Sequence, residues 1–375
     1  MKQILSRIRL AGRVGLAIYC SIAASGMALA QKTTEVNAPR VEQDGTIHVP
    51  AFLLPESSFL SEETRRELKD SRDLAAAPKT CPSMEGAKPA DMPSIRKCEA
   101  DAFYETTSYK KVRDRYEVVM TPEKVGGVYT EVFTLTQGVA RKNKKRVLIN
   151  VHGGAFTGGS RTISHLESIP IASVGKIKVV SIDYRMAPEY KFPAASEDVA
   201  AVYRELLKTY EPKNIGIYGC SAGGLLTAEA VAWFQKEKLP RPGAVGMFCA
   251  AGSYYGEGDS GHFAAALSGH PLVNLAAAQK HPYFKDTVAD DPQVFPVRSA
   301  QVMAQFPPSL LITSTRDLAL SSVVHMHSCL VAQGVEAELH VWEGLGHAFY
   351  FNPDLTQSRE VYEVIVKFFD RHLGR

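Results

Sequence analysis

The chain has few cysteines, almost no excess of charge of either sign and only one long apolar run, and each shortage excludes a class of protein. Six cysteines among 375 residues are too few for a disulfide scaffold, and no two are spaced as C-x-x-C, the pattern typical of zinc and thioredoxin-like sites. Charged residues make up 22% of the chain and hydrophobic residues 45%, which argues against a disordered or collagen-like protein. The length predicts one large α/β domain or two smaller ones.

The small excess of positive charge lies at the N-terminus. The formal net charge is +3, and residues 1–30 hold four basic side chains and no acidic one, namely Lys2, Arg7, Arg9 and Arg13. An apolar run over 14–24 and an Ala-Leu-Ala ending at Ala30 follow, an order typical of a secretory signal peptide cleaved before Gln31. An uncleaved anchor is the alternative. We expect a secreted or periplasmic protein, and no later apolar run reaches the roughly 18 residues that indicate a transmembrane helix.

Without this leader, the chain is nearly neutral. The whole sequence has 43 Lys and Arg against 40 Asp and Glu, and four of the basic residues belong to the leader. The densest basic run, Lys142–Arg146, has no interleaved aromatic residue and precedes a predicted strand, so we interpret it as a solvated turn. We therefore expect no nucleic-acid partner.

Export also changes the interpretation of the cysteines. Cys81 and Cys98 flank a proline-rich segment with little helical periodicity, where a disulfide would stabilise a loop that has little core of its own. In an oxidising compartment we predict that this pair is bridged. Cys220, Cys249 and Cys329 stand singly among apolar residues and are predicted to be buried thiols.

From about Tyr116 onward, short β-branched runs alternate with stretches of helical periodicity. The predicted strands are 129–135, 147–151, 178–182, 215–218, 245–249, 309–313 and 338–341. The predicted helices are 196–210, 222–233 and 360–369. This alternation predicts an α/β fold with a mostly parallel central sheet and helices on both faces. Residues 253–305 interrupt it, and connections of that length are usually functional lids, whereas 31–110 is a Pro- and charge-rich segment with a helix beginning at Ser61.

A serine lies between a predicted strand and a predicted helix in the pattern Gly219-x-Ser221-x-Gly223. A nucleophilic serine at such a sharp turn adopts a strained conformation, and glycines two residues before and after it avoid clashes. The helix that follows offers free N–H groups and a favourable dipole for developing negative charge. A bare glycine-rich turn is the alternative, but the flanking strand and helix favour a nucleophile elbow.

A second glycine motif, His152-Gly153-Gly154, ends an earlier predicted strand. Small residues there let backbone N–H groups point at an oxyanion. Alone, the motif also fits a phosphate nest or a structural turn, but before a nucleophile elbow it is better explained as an oxyanion loop. We predict Gly153, Gly154 and the N–H of Ala222 as the donors of an oxyanion hole.

An acid and a base follow the last two predicted strands. Asp317 comes directly after one strand, and His347 lies in a glycine-bounded loop after the next. The chain order Ser, Asp, His is the one that places these groups together at one edge of such a sheet. We predict a catalytic triad of Ser221, Asp317 and His347, in which His347 moves the proton and Asp317 orients it. Helix capping for the aspartate and solvent exposure for the histidine are the alternatives for each residue alone.

Three linked motifs resemble the hormone-sensitive-lipase-like (family IV) branch of the α/β-hydrolases. They are His152-Gly-Gly-Ala-Phe156, Asp183-Tyr-Arg-Met-Ala-Pro-Glu189 with Phe192–Asp198, and Gly219-Cys-Ser-Ala-Gly-Gly224. Two positions differ from the family pattern: Ala155 replaces a third glycine, and Cys220 stands where Asp or Thr is usual. A third difference follows Asp317, where Leu-Ala-Leu replaces a proline-containing stretch.

The resemblance implies a serine carboxylesterase that needs neither a metal nor another cofactor. It implies an α/β-hydrolase catalytic domain over 111–375, with a helical cap built from 31–110 and from an insertion at about 253–305. Small or medium monoesters or lactones are the expected substrates, cleaved through an acyl-enzyme. An amidase or peptidase on the same triad, and a non-catalytic ligand-binding homologue, are the alternatives. The presence of His347 argues against the second, and the sequence leaves the oligomeric state open.

Aromatic side chains near the predicted motifs are candidates for binding the substrate. Phe156 follows the oxyanion motif, Tyr254 and Tyr255 lie in the predicted cap insertion, and Phe349 follows His347. Internal packing of the cap is the alternative role for the two tyrosines.

Overall fold

The structure is a computed structural model that describes residues 38–75, 81–84, 86–254, 256–267 and 281–374. The predicted leader and Tyr255 lie outside these ranges. The chain divides into two units, the first ending at Pro55 and the second beginning at Glu56. In the first unit, the two-residue strands β1 (Arg40–Val41) and β2 (Ile47–His48) pair antiparallel.

An eight-stranded sheet runs through the second unit, in the spatial order β10-β9-β8-β7-β5-β6-β4-β3. Its strands are β3 (Val118–Val125), β4 (Val128–Leu135), β5 (Val147–Val151), β6 (Lys178–Ile182), β7 (Ile215–Cys220), β8 (Ala244–Phe248), β9 (Ser309–Arg316) and β10 (Ala337–Gly346). β4 pairs antiparallel with both β3 and β6, and every other neighbouring pair is parallel. The prediction of a mostly parallel sheet is confirmed, and all seven predicted strands are present.

Strand β3 escaped the sequence prediction because it is an edge strand. Of its side chains only Val118 and Val125 are buried, and Pro122 lies within it. Proline is tolerated in sheets mainly at edges, because it cannot donate a ladder hydrogen bond. An exposed strand of this kind lacks the apolar run that marks the central strands.

Ten helices occur in the described residues: α1 (Glu62–Ala75), α2 (Met92–Tyr104), α3 (Thr107–Arg115), α4 (Ile163–Gly175), α5 (Ala194–Leu206), α6 (Ala222–Lys236), α7 (Ser260–Leu267), α8 (Ala300–Met303), α9 (Leu320–Ala332) and α10 (Thr356–His372). The three predicted helices correspond to α5, α6 and α10. Helix α4 is buried on nearly every side and contains Pro170. It therefore has no polar face from which a helical period could be read.

The segment before the sheet is more helical than the sequence predicts. Helix α1 begins where expected, with the N–H of Thr64 donating to Ser61 Oγ at 3.1 Å. The interpretation of the stretch up to Cys98 as poor in helix is wrong, because Cys98 lies inside α2 and Pro93 sits in its first turn. Proline is accepted there because the first turn needs no N–H donor. Cys98 is joined to Cys81 by a disulfide, as predicted.

Two apolar clusters lie on opposite faces of the sheet, since β5 contributes Val147, Ile149 and Val151 to one and Leu148 to the other. Helices α5, α6 and α9 cover the first cluster, and α3, α4 and α10 cover the second. Because strands β5, β7, β8, β9 and β10 are parallel, their carboxyl ends lie at the same edge of the sheet.

The three free cysteines of the described residues differ in burial. Cys220 and Cys249 are buried as predicted, but Cys329 is only half-buried, at the margin of the apolar cluster that α9 covers. Within the described ranges, no helix has both the length and the apolar character needed to cross a membrane.

Candidate active site

Ser221 stands on a sharp turn between β7, which ends at Cys220, and α6, which begins at Ala222. Its backbone has φ 59° and ψ −124°, a conformation that costs on the order of 1–3 kcal/mol for a residue other than glycine. A Cβ at Gly219 would lie 2.0 Å from the carbonyl oxygen of Val151, and one at Gly223 only 1.8 Å from it. The two glycines are therefore required by the close approach of β5.

The structure brings Ser221, His347 and Asp317 together at the carboxyl ends of three strands. The Nε2 atom of His347 lies 2.9 Å from Ser221 Oγ, and its Nδ1 atom lies 2.8 Å from Asp317 Oδ1. Nδ1–H therefore donates to the carboxylate, which leaves Nε2 to accept the serine hydroxyl. This is the geometry of a nucleophile, a base and an orienting acid.

Asp317 is wholly buried, whereas the His347 side chain is 30% exposed. The N–H of Ala319 donates to Asp317 Oδ1 at 2.9 Å, and the hydroxyl of Thr313 donates to Oδ2 at 3.1 Å. Burial lowers the pKa of His347, but the charge of Asp317 and the hydrogen bond to it outweigh burial, so the pKa stands above its ordinary 6.5. A more basic imidazole accepts the serine proton more readily.

The oxyanion loop, residues 152–156, differs from the prediction at one donor. The N–H of Gly153 is engaged by Glu167, with 2.9 Å to Oε1, so it does not face a substrate. Within the described residues, the N–H groups of Gly154, Ala155 and Ala222 have no hydrogen-bond partner. Ala155 thus takes the position that the prediction gave to Gly153, because Glu167 captures the first amide of the loop.

His152 supports this loop from below. Its Nδ1–H donates to the carbonyl oxygen of Gly153 at 2.7 Å, and its ring stacks on Tyr184 at 4.3 Å between centroids. The hydroxyl of Tyr184 in turn donates to the His152 carbonyl at 2.7 Å. Burial lowers the pKa of His152, so the ring stays neutral and acts as a support.

A cavity of about 170 Å³ adjoins Ser221 and His347. Most of its lining is apolar, and the residues that line it with the serine and histidine are Ala155, Phe156, Ala222, Leu225, Ala250, His281, Phe284 and Leu318. Phe156 therefore lies where the sequence predicts. The cavity has room for an acyl chain beside the nucleophile.

Two other predicted substrate-binding residues lie elsewhere. Tyr254 is 2% exposed and packs against Phe295 at 6.4 Å between ring centroids. Phe349 packs against Trp342 at 5.7 Å and belongs to the apolar cluster beneath the sheet. Neither lines the cavity beside Ser221, because both rings are packed in the core. Tyr255 lies outside the described residues.

His281 and Phe284, which were not among the predicted site residues, also line the cavity. Phe156 stacks on Tyr283 at 4.4 Å and meets Phe284 edge-on at 5.1 Å. Burial lowers the pKa of His281, and a hydrogen bond with the Ala155 backbone raises it in part. The run His281-Pro-Tyr-Phe284 holds two aromatic residues in four, as Ser253–Gly256 does in the same predicted insertion, so aromatic density alone did not single it out.

One group of potential metal ligands occurs in the part of the chain that the structure describes. Ligand atoms of Cys249, Asp317 and His347 lie within 4.8 Å of one another. Two of these residues are already joined by the hydrogen bond between His347 and Asp317. A metal there would compete with the triad and would not assist it.

Comparisons with known proteins agree with this geometry. A family model described as the alpha/beta hydrolase fold matches residues 148–351, a span that contains all three triad positions. The chain is 26% identical over 240 residues to an esterase of Acinetobacter venetianus, covering 61% of this chain and 76% of that protein. It is 22% identical over 265 residues to the versiconal hemiacetal acetate esterase of Dothistroma septosporum, covering 67% and 79%.

Solved structures of esterases superpose on most of the chain. The esterase E25 gives a TM-score of 0.72 at 27% identity and covers 87% of this chain and 98% of that one. An esterase from the bacterial hormone-sensitive lipase family gives 0.69 at 26% identity, over 84% and 99%.

Proposed function

Because the chain belongs to the hormone-sensitive-lipase-like family of α/β-hydrolases and is a carboxylic ester hydrolase, we propose that it cleaves small monoesters through an acyl-enzyme on Ser221. The observation that carries the proposal is the hydrogen-bonded chain from Ser221 through His347 to Asp317. Ser221 and His347 also line a small apolar cavity that can hold a substrate. No cofactor takes part in the proposed reaction.

The proposed reaction needs only groups of this chain and water. His347 Nε2 takes the proton of Ser221 as Oγ attacks the ester carbonyl carbon, and the N–H groups of Gly154, Ala155 and Ala222 stabilise the resulting oxyanion. The tetrahedral intermediate collapses, the carbon–oxygen bond to the alcohol breaks, and His347 returns the proton to the departing alcohol. Water, deprotonated by His347, then attacks the acyl-enzyme and releases the acid and the free serine.

The size of the cavity supports a preference for short acyl chains. At about 170 Å³ it is smaller than the roughly 300–1,000 Å³ of pockets that hold drug-sized ligands. Phe156 and Phe284 meet edge-on at its wall, and both are buried. A long chain would have to displace one of these rings.

A series of p-nitrophenyl esters tests this proposal. We expect kcat/KM to be highest for acetate to butyrate and to fall by at least tenfold for decanoate. A methylene that does not fit an apolar pocket costs about 1–3 kcal/mol of transition-state binding. The matching p-nitroanilides should turn over far more slowly. Equal rates on the anilides would favour an amidase, and a flat profile over the esters would contradict the proposed size limit.

Export is a further part of the proposal. The basic residues, apolar run and Ala-Leu-Ala of residues 1–30 support it, and so does the disulfide between Cys81 and Cys98, since such bonds persist in oxidising compartments. Mass spectrometry of the protein recovered from the periplasm or medium should give a chain that begins at Gln31. An unprocessed chain found only in the cytosol would contradict this part.

A further inference from the structure

We propose that Glu167 is the positioning residue of the oxyanion loop, which it holds by accepting the N–H of Gly153. The loop has three successive amides that could face a substrate, those of Gly153, Gly154 and Ala155. Glu167 engages the first and so leaves the next two for the oxyanion. This inference rests on the proposed function, because it assigns a role in the same reaction.

Glu167 is buried under the loop and both of its carboxyl oxygens have partners. It lies on α4 and is 2% exposed. Oε1 accepts the N–H of Gly153 at 2.9 Å, and Oε2 accepts Nδ2 of Asn150 at 2.7 Å. The Oδ1 atom of Asn150 accepts the hydroxyl of Ser181 at 2.7 Å. A carboxyl group is costly to bury, so a network that satisfies both oxygens fixes its position closely.

The same carboxyl lies between the oxyanion loop and the nucleophile elbow. A Cβ built on Gly153 would lie 3.3 Å from the Cβ of Ser221, 3.4 Å from Glu167 Oε1 and 2.8 Å from the carbonyl oxygen of Cys220. The Gly153 peptide is therefore packed against the elbow and cannot move toward it. Its N–H is held by Glu167, and its carbonyl oxygen is held by Nδ1 of His152.

The backbone that follows needs to be held from outside. Gly154, Ala155 and Phe156 have φ of 114°, 53° and 56°, and two of these three are residues that rarely adopt a positive φ. Strained turns of this kind persist only where the surroundings determine them. The hydrogen bonds to the N–H and the carbonyl oxygen of Gly153 fix the backbone directly before this turn.

The anchor depends on an acceptor oxygen more than on charge. Burial raises the pKa of Glu167 to about 8, although hydrogen bonds from Gly153 and Asn150 oppose the rise. The group therefore changes its protonation near neutral pH. In the acid form one oxygen still accepts the Gly153 N–H, while a rotated Asn150 amide can present Oδ1 to the carboxyl proton. Glutamine in place of Glu167 can use the same arrangement, whereas methionine cannot accept the bond.

Two substitutions at this site separate positioning from packing. We expect Glu167→Met to lower kcat on p-nitrophenyl butyrate by roughly tenfold or more. Removal of one oxyanion donor lowers kcat by about 10²–10³-fold, and this variant misplaces donors without removing them. KM should stay within about twofold. Glu167→Gln should recover most of kcat. The affinity of a trifluoromethyl ketone, which forms an oxyanion on the serine, should fall in parallel with kcat.

Glu229 provides the matched control. It is a wholly buried glutamate on α6 whose Oε2 contacts Ser196 Oγ at 3.4 Å, and burial raises its pKa well above the ordinary value. Glu229→Met removes a buried carboxyl of the same size without touching the loop. We expect it to leave kcat and the ketone affinity unchanged.

The outcomes are distinct. The inference is overturned if folded Glu167→Met keeps the wild-type kcat and ketone affinity, or if Glu167→Gln loses as much as Glu167→Met. It is also overturned if Glu229→Met loses kcat equally, because burial alone would then explain the effect. A wild-type protein that hydrolyses none of the esters would instead contradict the proposed function, and with it the role assigned to Glu167.

Discussion

At the scale of single residues, the pKa of His347 sets the pH range of the proposed reaction. It must be neutral to take the serine proton, and its pKa lies above the ordinary 6.5 because the charge and hydrogen bond of Asp317 outweigh burial. Activity is therefore lost as the pH falls through this raised pKa. The buried carboxylate that causes the shift is itself held by Ala319 and Thr313.

Replacing that carboxylate tests its role. In Asp317→Asn the charge that raises the pKa of His347 is gone, so the acid limb of the kcat profile should move to lower pH. We expect kcat to fall by about 10⁴-fold, since the imidazole loses its preferred tautomer. Steady-state kinetics on p-nitrophenyl butyrate between pH 5 and 9 measures both effects. An unchanged limb would mean that Asp317 does not face the base in solution.

Residues whose role follows from chain order could be predicted from the sequence, and residues whose role depends on packing could not. Ser221, Asp317 and His347 each follow a strand, and parallel strands bring such positions to one edge. The free amide of Ala155 depends on Glu167, which captures Gly153 from a helix that the sequence did not reveal. Tyr254 and Phe349 have the right residue type and neighbourhood, but their rings point into the core.

At the scale of elements, the described segment that begins at His281 forms part of the wall of the cavity. His281 and Phe284 belong to it and line the cavity. Phe284 contacts Phe156, Tyr283 and Phe295, with 6.0 Å between its centroid and that of Phe295. The wall thus contains aromatic rings in edge-on and tilted contact, which limit the space beside Ser221.

Shortening one ring should change the preferred acyl length. We expect Phe284→Ala to raise the ratio of kcat/KM for octanoate over butyrate by roughly tenfold or more, because space for a methylene in an apolar pocket is worth about 1–3 kcal/mol. Phe263→Ala is the matched control, since that ring lies on α7 and is 46% exposed. A ratio that stays the same in Phe284→Ala, or rises equally in the control, would contradict this assignment of the wall.

The same scale explains which elements were predictable. Buried strands such as β5 and β6 are runs of mostly apolar residues, and both were predicted with their observed bounds. Helix α4 was missed because it is buried on most sides, and β3 was missed because it is exposed at an edge. Hydrophobic periodicity reveals an element that has one buried face and one solvent-exposed face, and neither of these two elements has that contrast.

At the scale of the whole molecule, α2 is joined to the preceding segment by a disulfide and to the residues beside the oxyanion loop by hydrogen bonds. Cys98 on this helix is bonded to Cys81. Arg96 on the same helix donates to the carbonyl oxygens of Thr157, at 2.7 Å, and Ala187, at 2.8 Å. Thr157 directly follows the oxyanion loop, so the position of α2 bears on the site as well as on stability.

Removing the disulfide should therefore cost stability. The bond closes a loop with a sequence separation of 17 residues, which corresponds to about 3 kcal/mol of unfolding free energy in the chain-entropy account. We expect the double variant Cys81→Ser, Cys98→Ser to lose unfolding free energy of that order. Its denaturation midpoint should fall accordingly. Cys329→Ser, at a half-buried free thiol, should change little. Equal midpoints for the double variant and the wild type would contradict a bridged pair.

The central claim is that Ser221 is the nucleophile, and labelling with a fluorophosphonate tests it most directly. We expect one adduct per wild-type chain, located by mass spectrometry on the peptide that contains Ser221, with loss of p-nitrophenyl butyrate hydrolysis in proportion. Ser221→Ala should stay folded, take no label and show no turnover, while Ser328→Ala, at an exposed site on α9, should behave as wild type. Hydrolysis or labelling retained in Ser221→Ala would contradict the account.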